Sequence, residues 1–164
     1  MIAIIDYGIG NLKSVHNAVR YIAPKTPSKV SSDPDFIYKA DKVIFPCQWA
    51  MPDCIKELDK RGIRDVVIES AKMKPFLGIC LGLQLLFEKS EEGDVDGFGI
   101  FEGRIKKFQP NKQVRIKIPH MGWNKVHQSK NHPMWNNINP GSSFYFVHSF
   151  YASDVKKEYV TGTT

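Results

Sequence analysis

The sequence contains no apolar run approaching the roughly 18 residues of a membrane-spanning helix, and its first residues, "MIAIIDYGIG", have neither a basic flank nor a small-residue cleavage site. No membrane association is expected, and the protein is expected to be cytoplasmic. Cysteine is scarce: Cys47, Cys54 and Cys80 form an odd set without CxxC spacing, which excludes a disulfide framework and gives no zinc pattern. His120, His127 and His132 likewise lack metal-ligand spacing, so neither a metal nor a cofactor is expected. Internal repeats and low-complexity tracts are absent.

The charge is one-sided but diffuse. A net charge of +6 could serve nucleic acid, yet it is spread along the chain and no RNP, helix-turn-helix or finger pattern accompanies it. The densest stretch, "GRIKKFQPNKQVRIKIP", alternates basic and apolar residues with the period of two strands that each have one wet face. A solvated face, and no nucleic-acid partner, is the reading. With 164 residues, 42% hydrophobic, the chain suits a single domain over 1–164.

What is present is an α/β alternation. "MIAIID" reads as a buried strand, "YGIGN" as a turn, and Asn11 as the N-cap of a helix whose Leu12, Val15, Val19 and Ile22 recur at helical spacing until Pro24. "PSKVSS" and "DKVIFP" read as strands around a short helix in "DPDFIYKA". Helices over 51–60 and 64–72 lead to the strand "KPFLGI" and a helical "LGLQLLFEKS". Beyond Gly97, short alternating runs separated by Gly, Pro and Asn predict antiparallel strands added to a mostly parallel sheet. The glycine turn "DYGIGN" is no dinucleotide fingerprint, because Lys13 stands where the third glycine should be.

The chemistry concentrates in "KPFLGICLGLQLLF". A strand, then Gly78, Ile79, Cys80, Leu81 and Gly82, then a helix, has the form of a nucleophile elbow with cysteine in place of serine. The glycines allow a close strand-to-helix turn that projects the sulfur, while the Leu81 N–H faces an oxyanion and the helix N-terminus favours thiolate. A buried structural cysteine is the bland alternative.

This segment resembles the nucleophile segment of class I glutamine amidotransferases. "DYGIGNLKSV", "PHMGWN" and "FYFVHSFY" are similar to motifs of one branch of that family, the glutaminase subunits of imidazole glycerol phosphate synthase, in the same order and over the whole chain. The resemblance implies a flavodoxin-like α/β fold and a glutaminase that releases ammonia from glutamine for a (β/α)8-barrel cyclase partner in histidine biosynthesis. It makes Cys80 the nucleophile, places Gln84, His148, Ser149 and Phe150 in segments lining the glutamine site, and turns Asn11, Met121, Gly122, Trp123 and Asn124 toward the cyclase. Without it, Trp123, Phe144, Tyr145 and Phe146 would read as core aromatics and His148 as a partly buried histidine.

Two departures from the family pattern follow. A "QFHPEKS"-like segment, which supplies the His base and its acid, is not found before Thr164, and "NHPMW" does not replace it, since Met134 stands in the acid's place. The C-terminal part of the fold is therefore expected to be missing, the triad incomplete, glutamine hydrolysis impaired, and the isolated chain marginal or self-associating. "FPCQWAMPD" aligns with an oxyanion strand resembling "PGxGA", so Cys47 and Trp49 replace two glycines around Gln48, whose N–H would meet the oxyanion. If that strand needs positive φ, each replacement would cost about 1–3 kcal/mol. These departures leave open a glutaminase-dead homologue that acts as a binding or regulatory subunit. A different α/β hydrolase with a Cys nucleophile would leave "PHMGWN" and "YFVHS" unexplained.

Overall fold

The computed structural model describes residues 1–8, 10–110 and 117–164. Its continuous apolar run makes β1 (Ile2–Ile5) an interior strand of a parallel sheet. Next comes α1 (Leu12–Ile22), where the Asn11 side chain accepts the Ser14 N–H as the sequence predicts and the helix ends before Pro24. Then follow β2 (Ser28–Ser31), α2 (Pro34–Lys39) with Asp33 as N-cap and Pro34 in its first turn, and β3 (Lys42–Cys47). Two helices, α3 (Met51–Lys60) and α4 (Arg64–Met73), precede β4 (Phe76–Cys80). The four strands form a parallel sheet in the order β2-β1-β3-β4. Its core joins Ala3, Ile5 and Tyr7 to Val43, Phe45 and Cys47, with Met51, Cys54, Leu58, Ile63 and Val67 packed against them.

The helix expected over "LGLQLLFEKS" is only α5 (Leu81–Gln84), and the chain returns as β5 (Phe87–Ser90). Leu85, Leu86 and Phe87 are all buried, and a short apolar run satisfies helical and strand periods equally well. Pairing decides: β5 runs antiparallel to β6 (Val95–Asp96) and parallel to β7 (Phe101–Lys107).

The antiparallel additions expected after Gly97 are present. In β7, Arg104 points to solvent and Ile105 is buried, while Lys106 pairs with Asp154 at 2.9 Å, the wet-face alternation read from the sequence. The second half of that alternation, at 111–116, lies outside the described residues. A two-stranded ribbon joins β8 (His120–Lys125), which β9 (His127–Gln128) follows, to β10 (Ser143–His148), and β11 (Phe150–Ser153) pairs with β7. A last short strand, β12 (Gly162–Thr163), pairs with β9. No described helix is long and apolar enough to cross a membrane.

Candidate active site

The sheet delivers Cys80 to the end of β4 and turns it sharply into α5. Cys80 takes φ 56° and ψ −119°, a left-handed conformation that a side-chain-bearing residue adopts at a cost of about 1–3 kcal/mol. The flanking glycines are there for proximity. A Cβ on Gly78 would lie 2.4 Å from the Gly82 carbonyl oxygen, and one on Gly82 would lie 2.0 Å from that of Phe45. The elbow read from "GICLG" is thus an actual strained turn, with Cys80 exposed at the sheet end.

The sulfur's surroundings differ from expectation in one respect. Partial desolvation holds the Cys80 thiol above its ordinary range; the Leu81 N–H draws it down, and the charges of Cys47 and Glu92 push it further up. A one-turn helix has little macrodipole to oppose burial. Alkylation of Cys80 by iodoacetamide is therefore expected to keep rising about tenfold per pH unit beyond pH 8.5, where an ordinary thiol begins to level off. A rate that plateaus below that pH, followed by peptide mass mapping, would contradict this.

Beside the elbow lies the heavy turn at the end of β3. Cys47 and Cys80 are register partners on adjacent parallel strands. Cys47 is fully buried, in the core cluster that also holds Tyr7 and Cys54. Burial first, and the neighbouring Cys47 next, raise the Tyr7 phenol; the hydrogen bond with Cys47 and then burial raise the Cys54 thiol. Gln48 donates its backbone N–H to the Tyr7 hydroxyl at 2.9 Å. Neither Cys47 nor Trp49 has a left-handed φ, so the strain considered for them does not arise in this conformation. Cys47 instead fills core volume beside Tyr7, and Trp49 is 56% exposed.

Gln84, on α5, has a buried side-chain carbonyl oxygen with no hydrogen-bond partner. An orphaned acceptor costs about 1–3 kcal/mol, so it is a natural place for a donor from a bound molecule. Two residues that sequence reading passes over belong here. Tyr7 occupies the Gln48 N–H, and Glu92 accepts the Met51 N–H at the start of α3 while its charge acts on Cys80. Burial raises the Glu92 carboxyl. In "KSEEGD" this glutamate reads as part of a solvated acidic turn, and nothing periodic marks it. The turn is pinned because Gly93 packs so closely on Pro52 that a Cβ there would lie 2.4 Å from the proline ring.

The remaining residues named from the sequence lie on other elements. His148, at the end of β10, directs Nδ1 to the Phe150 carbonyl at 2.9 Å; a carbonyl only accepts, so Nδ1 carries the proton and Nε2 accepts from His120 Nδ1, also at 2.9 Å. Ser149 contributes its carbonyl to the Phe108 N–H, and Phe150 opens β11. No hydrogen bond among the described residues joins a histidine to the Cys80 sulfur. Met121, Gly122, Trp123 and Asn124 lie along β8, opposite Val147, Phe146, Tyr145 and Phe144. The plain core reading of these aromatics fails: Trp123 is 72% exposed and meets Tyr145 edge-on at 5.5 Å, and Met121, Phe144 and Val147 are exposed with them. Asn11 spends its side chain on capping α1, at the edge of the turn formed by Gly8 and Gly10. No group of three or more potential metal ligands occurs among the described residues.

A cysteine on a strained elbow between two obligatory glycines, at the edge of a mostly parallel α/β sheet, is the arrangement of the nucleophile-elbow class of folds. The family model described as glutamine amidotransferase class-I matches residues 3–164, and the chain belongs to that family. Within it, the chain is similar to imidazole glycerol phosphate synthase subunit HisH of Nitrosospira multiformis, 52% identical over 155 residues, covering 92% of this chain and 73% of that protein. The same subunit of Nitrosomonas europaea is 50% identical over 168 residues, covering 99% and 79%. Among solved structures, a glutamine amidotransferase shares the fold at TM-score 0.74 and 11% identity, covering 100% of this chain and 80% of its own. The glutaminase domain of Trypanosoma brucei CTPS with bound acivicin follows the fold at TM-score 0.52 and 12% identity, covering 92% and 67%.

Proposed function

We propose that this chain is the glutaminase subunit of an imidazole glycerol phosphate synthase, releasing ammonia from glutamine for a barrel cyclase subunit. The observation that carries the reading is the left-handed Cys80 between Gly78 and Gly82. In the reaction, Cys80 Sγ adds to the glutamine carboxamide carbon, the C–N bond breaks, and ammonia leaves with a proton. Water then hydrolyses the γ-glutamyl thioester to glutamate and restores the thiol. The Leu81 N–H is placed to stabilise the oxyanion, and the Gln48 N–H can join it once released from Tyr7. The orphaned Gln84 oxygen and the Glu92 carboxylate suit N–H donors of the substrate, Glu92 its α-ammonium. The exposed ribbon of Met121, Trp123, Tyr145 and Val147 offers an apolar face for the cyclase.

Because no described histidine is bonded to Cys80, and Gln48 is held by Tyr7, turnover by these residues alone is expected to be impaired. The Gln48 N–H held by Tyr7 favours a second reading, a glutaminase-dead homologue that binds the cyclase. Glutamate release from glutamine, measured with and without a cyclase subunit and alongside acivicin labelling of Cys80, separates the two. Cyclase-stimulated hydrolysis, or labelling that glutamine suppresses, supports the glutaminase. Binding to the cyclase without either supports the homologue, and no binding to the cyclase sinks both.

Glu92 gives a prediction with a pH sign. A carboxyl raised by burial binds its proton more tightly in the folded protein, so it lowers stability as pH climbs above the unfolded value of about 4.3. Glu92→Gln is expected to raise Tm at pH 7 by on the order of a degree or two, with the difference vanishing below about pH 4. The same variant should weaken glutamine protection of Cys80 by about tenfold, a typical loss for one charge-assisted contact. Thermal melts across pH that show no neutral-pH gain would refute the first part.

A further inference from the structure

Of the three thiols, the glutaminase chemistry uses only Cys80 and leaves Cys47 and Cys54 without a role. Cys80 is exposed, Cys47 is its register partner on the neighbouring strand, and Cys54 is buried in the same core cluster as Cys47. Adjacent strands are about 4.7–4.9 Å apart, within the about 4.4–6.8 Å between α-carbons that a disulfide spans. Cys47 and Cys54 are fully buried, so an oxidant from solvent meets Cys80 first. Burial from solvent does not separate Cys47 from Cys80, because the two stand directly side by side on adjacent parallel strands.

We propose that Cys47 is a resolving cysteine for Cys80, so that oxidation of the exposed thiol by a hydroperoxide ends in a reversible Cys47–Cys80 disulfide. In the first step the Cys80 thiolate attacks a peroxide oxygen and the O–O bond breaks. The sulfur is oxidised to a sulfenic acid, and hydrogen peroxide is reduced, leaving as hydroxide. The Cys47 sulfur then attacks the sulfenyl sulfur; the S–S bond forms, the S–O bond breaks, and the hydroxyl departs as water with the Cys47 proton. The disulfide removes Cys80 from acyl chemistry while preventing its irreversible passage to sulfinic acid. Thiol reduction restores it. The device depends on this chain's cysteine at position 47 and stands apart from the assignment of the substrate.

Tryptic mapping tests it directly, because Cys47 and Cys54 share the peptide 43–56 whereas Cys80 lies in 73–89. The folded full chain is treated with a few equivalents of hydrogen peroxide, enough for two successive oxidations of one thiol, then quenched, denatured and alkylated. The expected product is peptide 43–56 linked to 73–89, with two of the three thiols lost to alkylation, Cys54 still alkylated, and dithiothreitol returning all three. In Cys47→Ser the same dose should carry Cys80 to sulfinic acid that dithiothreitol does not recover. Wild-type mapping decides alone if that variant does not fold. Sulfinic Cys80 beside an alkylated Cys47 in the wild type, or a loop closed between Cys47 and Cys54 within one peptide, overturns the proposal.

Discussion

Replacing Cys80 by alanine is expected to lower cyclase-stimulated glutamine hydrolysis by a thousandfold or more, because the thioester has no other sulfur at the elbow to form on. The two other cysteines are buried and face the core. Glycine at the same position should be equally inactive and yet stabilise the fold. Cys80 holds φ 56°, which glycine adopts freely, so Cys80→Gly is expected to raise unfolding free energy by about 1 kcal/mol relative to Cys80→Ala. Paired rate and denaturant measurements read both effects. Hydrolysis in either variant within about tenfold of the unsubstituted chain would remove Cys80 from the nucleophile's role, and a Cys80→Gly variant less stable than Cys80→Ala would mean that the turn is not strained in solution.

The second large effect belongs to the turn after β3. The Gln48 N–H that would stabilise an oxyanion instead donates to Tyr7, which is buried in the same core cluster as Cys47. Turning that peptide toward the elbow rotates ψ of residue 47 and φ of residue 48, a change that cysteine resists and glycine permits. One oxyanion donor is worth about 10²–10³ in rate. Cys47→Gly combined with Trp49→Gly is therefore expected to raise hydrolysis in the presence of the cyclase by at least about tenfold, chiefly in kcat. The buried Cys47 side chain is lost in the process, and stability should fall by about 1–2 kcal/mol. Tyr7→Phe gives an independent route, since it removes the competing acceptor without touching the turn. It should raise kcat in the same direction while leaving the Gln48 N–H to seek a partner at a cost of about 1 kcal/mol. Unchanged kcat in both variants would show that this N–H takes no part in the reaction.

Much of this molecule was legible before folding was considered. The continuous apolar run of β1, the Asn11 cap, the Pro24 stop and the helix over 51–60 were each dictated locally, by backbone geometry and by hydrogen-bonding groups a few residues apart. The elbow was legible for the same reason: "GICLG" places a cysteine between two positions without Cβ within five residues. The short α5 was not, because Leu85 to Phe87 suits helix and strand alike and partners in β6 and β7 made the choice. Nor was the exposure of Trp123 and Tyr145, whose composition suits a core and whose ribbon leaves them outside it.

The sequence by itself determined the fold class and the elbow with its candidate nucleophile, since both are written in local spacing. Tertiary structure alone decided what surrounds that nucleophile. Cys47 became the register partner of Cys80, Tyr7 took the Gln48 N–H from 41 residues away, and Glu92 came to act on the sulfur from across a pinned turn. Those relations depend on which strands pair and which side chains are driven from water together, and no pattern within a short window of sequence encodes them.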